Sequence, residues 1–146
     1  MSTAHAVAVA VLFTWLGMVL AISFLEAPLK FRAPGVSIPL GLGIGRLVFR
    51  ALNTVEAVLA VVLLITVAVD RPSSTAAIGV GAVVVVLTVQ LLVVRPRLAR
   101  RSELVLAGAA AADGATRRST VHYEYVGLEL VKVVALVTGG VAMLTG

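Results

Sequence analysis

Four long apolar runs constrain the fold of this 146-residue chain more than any other feature. In lipid a backbone N–H or C=O has no water to bond, so a helix, which bonds these groups internally, is the expected conformation. A helix needs roughly 20 residues to cross a bilayer. The sequence therefore predicts an all-α, four-transmembrane-helix bundle in one integral membrane domain, 1–146, with spans at about 6–25, 47–69, 76–94 and 120–144.

The composition supports the membrane class. Hydrophobic residues make up 60% of the chain, charged residues 13%, and the mean hydropathy is +1.11; a soluble domain is excluded by these values. The chain has no cysteine, so disulfides and thiolate metal sites are excluded as well. The first run is expected to remain as a helix rather than to be cleaved, because no Lys or Arg precedes it and it leads into Glu26-Ala-Pro-Leu-Lys30.

The basic residues predict an orientation. Ten of the twelve Lys and Arg lie in or beside the first and third connections, which share one side of a four-span protein. The positive-inside rule makes that side cytoplasmic and places both termini outside. The net charge of +5 then favours anionic lipid headgroups, not nucleic acid, as the partner of the basic side chains. A plasma or inner membrane is the expected location. The ten residues are Lys30, Arg32, Arg46, Arg50, Arg95, Arg97, Arg100, Arg101, Arg117 and Arg118.

Two connections contain helix breakers or dense charge. The segment 27–45 mixes prolines with Gly41-Leu-Gly-Ile-Gly45, which favours an interfacial loop with flexible backbone. Ser37 precedes Ile38-Pro39 and is a plausible helix cap, so the second helix is expected to begin near Pro39 or Leu47. The arginine-rich segment 95–118 predicts a short surface helix and a turn closed by Asp113-Gly114.

Polar residues follow helical stripes. The fourth run opens with His122, Tyr125, Glu129 and Lys132 at spacings of three, four and three, which places them on one face. Similar spacings relate Arg46, Arg50, Asn53 and Glu56 in the second helix. Because charged groups are costly in lipid, both stripes are expected to turn inward. They predict a substrate or ion pocket in the cytoplasmic half, formed by Asn53, Glu56, Gln90, His122, Tyr125, Glu129 and Lys132. Ion pairing is expected among Glu26, Lys30, Arg46 and Arg50.

Each of these groups also has a structural interpretation. Glu129 and Lys132 either form an internal ion pair that fixes helix packing or act as a proton or ion relay. A metal site at Glu56, His122 and Glu129 is disfavoured, because the paired Glu-x-x-His signature of diiron bundles is absent, and no cofactor is expected. Tyr123 and Tyr125 are expected to be interfacial aromatic anchors rather than catalytic phenols, and Tyr125 is also a candidate pocket residue. The arginines are expected to contact lipid headgroups, with a substrate-phosphate site as the alternative: Arg95, Arg97, Arg100 and Arg101.

Four short motifs resemble those of a family of small four-helix membrane proteins of unassigned activity. They are Ala27-Pro28-x-x-Phe31 after the first span, Gly45-Arg46-x-x-Phe49 opening the second, Pro96-Arg97 after the third, and His122 opening the fourth. The resemblance implies four helices and no mechanism. Glu129 and Lys132 do not belong to that pattern.

Three functions fit the sequence. The first is a small transporter or channel-like protein, expected to be a homo-oligomer, whose pocket handles a proton, an ion or a small polar solute. The second is a non-catalytic accessory or assembly subunit whose charges pair with a partner membrane protein. The third is a membrane enzyme acting on a lipid phosphate, which ranks last because the sequence has no recognisable nucleophile or metal-binding motif.

Overall fold

The structure, a computed structural model, consists of helices and short connections in the part of the chain that it describes. It describes residues 1–108 and 114–146, and the side chains of residues 105, 106 and 114–122 fall outside the description. Four helices in the described part are long and apolar enough to cross a membrane, as the sequence predicts: Thr3–Lys30, Ile38–Val69, Ser74–Leu104 and Tyr123–Thr145, called the first to fourth spans. In chain order the elements are α1 (Thr3–Val19), π1 (Leu20–Glu26), α2 (Ala27–Lys30), α3 (Ile38–Val69), α4 (Ser74–Val89), π2 (Gln90–Val94), α5 (Arg95–Leu106) and α6 (Gly114–Thr145).

The first and third helices continue through prolines where the sequence predicted them to end. The predicted ends at residues 25 and 94 lie just before Pro28 and Pro96. A proline ring clashes with the carbonyl four residues back in an α-helix. In both places a π-helical segment ends two residues before the proline, and its wider turn accommodates the ring. The first helix therefore reaches Lys30, and the third extends to Leu106 instead of being followed by a separate surface helix.

The second helix begins at Ile38, the earlier of the two expected starts. Ser37 caps it, because its side-chain oxygen accepts a hydrogen bond from the backbone N–H of Leu40 at 3.3 Å. The segment Gly41–Gly45 is consequently helical, and its interpretation as flexible loop backbone was wrong. The ring of Phe31 packs directly over Gly41, where a Cβ atom would lie within 2.3 Å of it. The interfacial loop is thus confined to about residues 31–37.

The core is a column of apolar side chains from all four spans. The first span contributes Ala8, Leu12, Trp15 and Val19 at helical spacings. These pack against buried residues of the other spans: Ala60, Leu63, Ala76, Val80, Val83, Leu87, Ala135, Leu136 and Met143. Many large apolar side chains lie on the outer surface instead, including Val58, Ile78, Leu92 and Val134. An apolar exterior around a packed core is the arrangement that lipid requires.

The third and fourth spans approach most closely at two glycines. A Cβ atom on Gly79 would lie 2.8 Å from the Cα atom of Gly139, closer than real Cβ contacts. A Cβ atom on Gly139 would lie 3.7 Å from the nearest Gly79 atom, an ordinary contact distance. Only Gly79 is therefore required by the close approach, as small residues often are where transmembrane helices meet. Gly81 has nothing within 4 Å of its Cβ position.

Side-chain contacts join the helices at the end of the bundle that carries the N- and C-termini. The carbonyl of Met143 accepts a hydrogen bond from His5 Nε2 at 2.6 Å. The hydroxyl of Ser2 donates to Asp70, which follows the second span. These contacts connect the first span to the fourth and second, and they place His5 at the opposite end of α6 from residue 122.

Candidate functional site

A buried ion-pair cluster forms where the polar stripes of the second and fourth spans meet. Lys132 Nζ donates to Glu56 Oε1 at 2.7 Å and to Glu129 Oε1 at 3.0 Å. The side chains of Lys132 and Glu56 are fully buried, and that of Glu129 is 2% exposed. The two stripes therefore meet within one chain, with the ammonium group bridging two carboxylates.

The first and third spans each add a polar side chain to this cluster. Trp15 Nε1 donates to Glu56 Oε1 at 2.9 Å, so this oxygen accepts from both the indole and Lys132. Gln90 Nε2 donates to Glu129 Oε1 at 2.6 Å, and that oxygen likewise accepts two hydrogen bonds. All four spans thus contribute to one cluster. We call these five residues the buried cluster: Trp15, Glu56, Gln90, Glu129 and Lys132.

The buried cluster has more acceptors than donors. Glu56 Oε2, Glu129 Oε2 and Gln90 Oε1 are buried and have no hydrogen-bond partner among the described residues. Two carboxylates face one ammonium group, so full ionisation leaves one negative charge in excess. Buried charges are stable only when they are paired and hydrogen-bonded. The site can therefore accept one further positive charge or hydrogen-bond donor.

Helix geometry accounts for the convergence of these residues. Glu129 and Lys132 lie three apart on α6 and share one face. Gln90 opens the π2 segment, in which Gln90 and Val94 are both buried, so the wider turn keeps residues four apart directed inward. Such π turns occur often at functional sites. Trp15 lies on the buried face of α1 between Leu12 and Val19.

Tyr125 and Asn53 flank the cluster, and the phenol of Tyr125 interacts with Glu129 and with Ser23. The half-buried phenol of Tyr125 lies near Glu129, and its ring meets Phe49 edge-on at a centroid distance of 5.4 Å. Asn53 is almost buried and lines a groove of about 540 Å³ between the second and third spans. The groove is otherwise mostly apolar, with Arg95 at its edge. The side chain of His122 lies outside the described residues.

Of the four residues expected to form ion pairs, two pair with each other, one pairs with a different residue, and one makes no ion pair in the described part of the chain. Glu26 and Lys30 form the expected pair at 3.4 Å, which the helix permits because it continues past Pro28. Arg46 pairs instead with Glu103 on α5 at 3.4 Å, which links the second span to the third. Arg50 is exposed and makes no ion pair within the described part of the chain, and it is close enough to another cation, Arg95, to repel it.

The four arginines of α5 lie toward its N-terminal end. Arg97 pairs with Glu124 of α6 at 3.7 Å, whereas Arg95 is half-buried and Arg100 is exposed. Arg101 is half-buried and also takes part in an interaction. Among the side chains that the structure describes, which do not include that of His122, no group of three His, Cys, Asp or Glu residues could hold a metal ion.

Sequence reasoning missed Trp15. Its spacing of eleven residues from Glu26 returns to nearly the same helix face, but Val19 and Ile22 between them are apolar, so no polar stripe singles it out. One signal was available: tryptophan in membrane proteins usually lies at the lipid–water interface, but Trp15 lies well inside the first span. A tryptophan at this depth needs an acceptor for its N–H, and Glu56 provides it.

The fold and the site together define a four-helix membrane protein with a charged cluster in its interior. No protein-family model matches the chain, and neither a curated protein nor a solved structure is similar to it at a significant level. Functional inference therefore depends on the geometry of the site itself.

Proposed function

We propose that this chain is a small integral membrane transporter or channel-like protein whose buried cluster handles a proton, an ion or a small polar solute. The observation that carries the proposal is the set of three buried acceptor oxygens that have no partner among the described side chains, beside an ammonium that bridges two carboxylates. A purely structural ion pair would gain nothing from a second carboxylate, since burying each charge in a bilayer interior costs roughly 2.5 to 3.5 kcal/mol on insertion scales.

The proposal includes an orientation. The first and third connections face the cytoplasm and both termini lie outside, because the positive charges concentrate in those connections. In this orientation the buried cluster lies toward the cytoplasmic half, and Arg95, Arg97, Arg100 and Arg101 meet anionic headgroups. The chain functions as a homo-oligomer in a plasma or inner membrane, because four helices enclose little pathway by themselves.

An accessory or assembly role has less support. In that role the charged residues within the spans pair with a helix of a partner protein. Lys132, however, already pairs with Glu56 and Glu129 inside the chain. A partner would have to open the core to reach them. Native mass spectrometry that shows a defined heteromeric complex after gentle solubilisation would favour this role.

Flux into proteoliposomes tests the proposed function. Purified protein is reconstituted, and proton, monovalent cation and anion movements are followed under an imposed gradient in each case. We expect at least one flux above that of protein-free vesicles, and Glu56→Gln and Glu129→Gln are expected to abolish it. Glu103→Gln provides the matched control, because Glu103 is exposed, lies outside the buried cluster and pairs with Arg46. Equal flux in the wild type and in both cluster variants would refute the proposal.

A further inference from the structure

The two buried glutamates have different hydrogen-bond partners, and the difference distinguishes their roles. Glu56 Oε1 accepts from Trp15 Nε1 and Lys132 Nζ. An indole N–H and an ammonium group can only donate, so both favour an ionised carboxylate at Glu56. Glu129 Oε1 accepts from Lys132 Nζ and from Gln90 Nε2. Gln90 differs from Trp15 because an amide can donate from its nitrogen and accept at its oxygen.

The amide of Gln90 therefore suits either protonation state of Glu129. When Glu129 is ionised, Gln90 Nε2 donates to it, as in the structure. When Glu129 is protonated, a rotation of the amide presents Gln90 Oε1 to the new O–H. That oxygen is buried and has no partner among the described residues, and after the rotation it faces Glu129 Oε1, where the proton would reside. One proton on Glu129 thus gives Gln90 Oε1 a donor and removes the excess negative charge of the cluster.

From this asymmetry we infer that Glu129 is the site of a labile proton, that Glu56 is the permanent counter-ion of Lys132, and that Gln90 is a positioning residue that reorients with the proton. This inference builds on the proposed function, because it names the species held at the same site. The proton comes from water and returns to water, so that Glu129 alternates between carboxylate and carboxylic acid with no other bond changed.

A metal cation fits the same atoms less well. Divalent cations such as Ca²⁺ and Mg²⁺ take six or more oxygen ligands, whereas the cluster offers three unpartnered oxygens in its described residues. The Lys132 ammonium, in contact with both carboxylates, would also repel a second full cation. A proton needs one acceptor and introduces one donor, which matches the imbalance.

The charged and titratable groups around Glu129 come from three spans. Lys132 and Tyr125 lie on its own helix, Glu56 faces it from the second span, and Arg95 acts on Glu56 and Tyr125 from the third. The first span presents the non-titrating indole of Trp15. Lys132 contacts both carboxylates, whereas the Gln90 amide, which can also accept a hydrogen bond, contacts Glu129.

Infrared difference spectroscopy of the reconstituted full-length protein between pH 6 and pH 9 tests this inference. Exposed carboxylates titrate near pH 4 and contribute little in this interval. We expect one protonated-carboxyl C=O band in the wild type. Glu129→Asp should move its frequency, whereas Glu56→Asp should leave the frequency unchanged. Gln90→Met should shift the band by removing the amide, whereas Trp15→Phe, the matched change beside Glu56, should not.

The outcomes separate the inference from the proposed function. A band that moves in Glu56→Asp and not in Glu129→Asp, or the absence of any band, overturns the inference. A band assigned to Glu129 in a protein without flux leaves the inference intact and refutes the proposed function. Flux in a protein without the band leaves the proposed function intact and overturns the inference. Conservative Asp variants keep the charge, and monodisperse size-exclusion profiles establish that each variant is folded.

Discussion

Lys132 and Glu56 lie 76 residues apart in the sequence, yet their side chains join at 2.7 Å with both fully buried. This ion pair links the second and fourth spans at the centre of the hydrogen-bond network. Lys132 also donates to Glu129, and Glu56 also accepts from Trp15. Because neither partner reaches solvent, the loss of Lys132 would leave two buried carboxylates without a cation in a low-dielectric interior. Stability and function are therefore expected to depend on the same residues.

Removing the ammonium group should destabilise the protein strongly. Lys132→Met leaves two buried carboxylates without a cation, and we expect a loss of about 3–5 kcal/mol in unfolding free energy, the usual effect of breaking a buried pair. The loss should be smaller at pH 5 than at pH 8, because protonation neutralises unpaired carboxylates. Thermal unfolding in detergent followed by circular dichroism measures both.

A triple variant provides the control for that prediction. Lys132→Met combined with Glu56→Gln and Glu129→Gln removes every charge of the buried cluster, and it should recover most of the lost stability because no charge remains uncompensated. A triple variant as unstable as Lys132→Met alone would show that packing of the lysine stem, and not charge, dominates at this position.

Trp15→Phe should destabilise the protein by removing the indole N–H that donates to Glu56. The substitution keeps an aromatic ring in the core but leaves a carboxylate oxygen with one donor fewer, which costs about 1–3 kcal/mol when a buried polar group loses its partner. Thermal unfolding of Trp15→Phe, Glu56→Gln and the double variant forms a double-mutant cycle. Additive effects in that cycle would show that the two side chains are not energetically coupled.

The helices and most cluster residues follow from the sequence for a clear physical reason. Apolar length and three- and four-residue spacing are local properties, and they identify four helices and the inward stripe of Glu129 and Lys132. The same reasoning fails at Pro28 and Pro96, because a proline was treated as a helix end when a π turn allows the helix to pass it.

The sequence predicted which segments are helical better than it predicted which side chains pair between helices. Arg50 shares the stripe of Glu56, but it is exposed, and Arg46 pairs with Glu103 on a different helix. Trp15 joins the cluster through a bond across 41 residues. Such contacts depend on helix rotation and tilt, which are set by packing against neighbouring helices rather than by spacing within one helix.

The glycine contact between the third and fourth spans predicts an asymmetric pair of variants. Gly79→Ala places a methyl group 2.8 Å from Gly139 Cα and should cost about 1–3 kcal/mol by overpacking. Gly139→Ala meets ordinary contact distances, and Gly81→Ala meets open space, so both should be close to neutral. Unfolding temperatures of the three variants measure this, and equal losses at Gly79 and Gly81 would argue against the observed helix contact.

The proposed orientation can be tested directly because the chain has no cysteine. Single-cysteine variants Ser2→Cys and Ser73→Cys should react with a membrane-impermeant maleimide in intact cells, since the positive-inside rule places the N-terminus and the second connection outside. Gly35→Cys and Gly108→Cys, in the first and third connections, should react only after permeabilisation. The opposite labelling pattern would show that the chain has the reverse topology.

The most direct test of the account is the rate of proton entry into proteoliposomes under an inward pH gradient, with the membrane potential clamped, for the wild type and Glu129→Gln at equal protein content. If the buried cluster handles a proton at Glu129, wild-type vesicles acidify faster than protein-free vesicles and Glu129→Gln vesicles match the protein-free rate, while Glu103→Gln vesicles match the wild type. Acidification by Glu129→Gln at the wild-type rate would contradict the account.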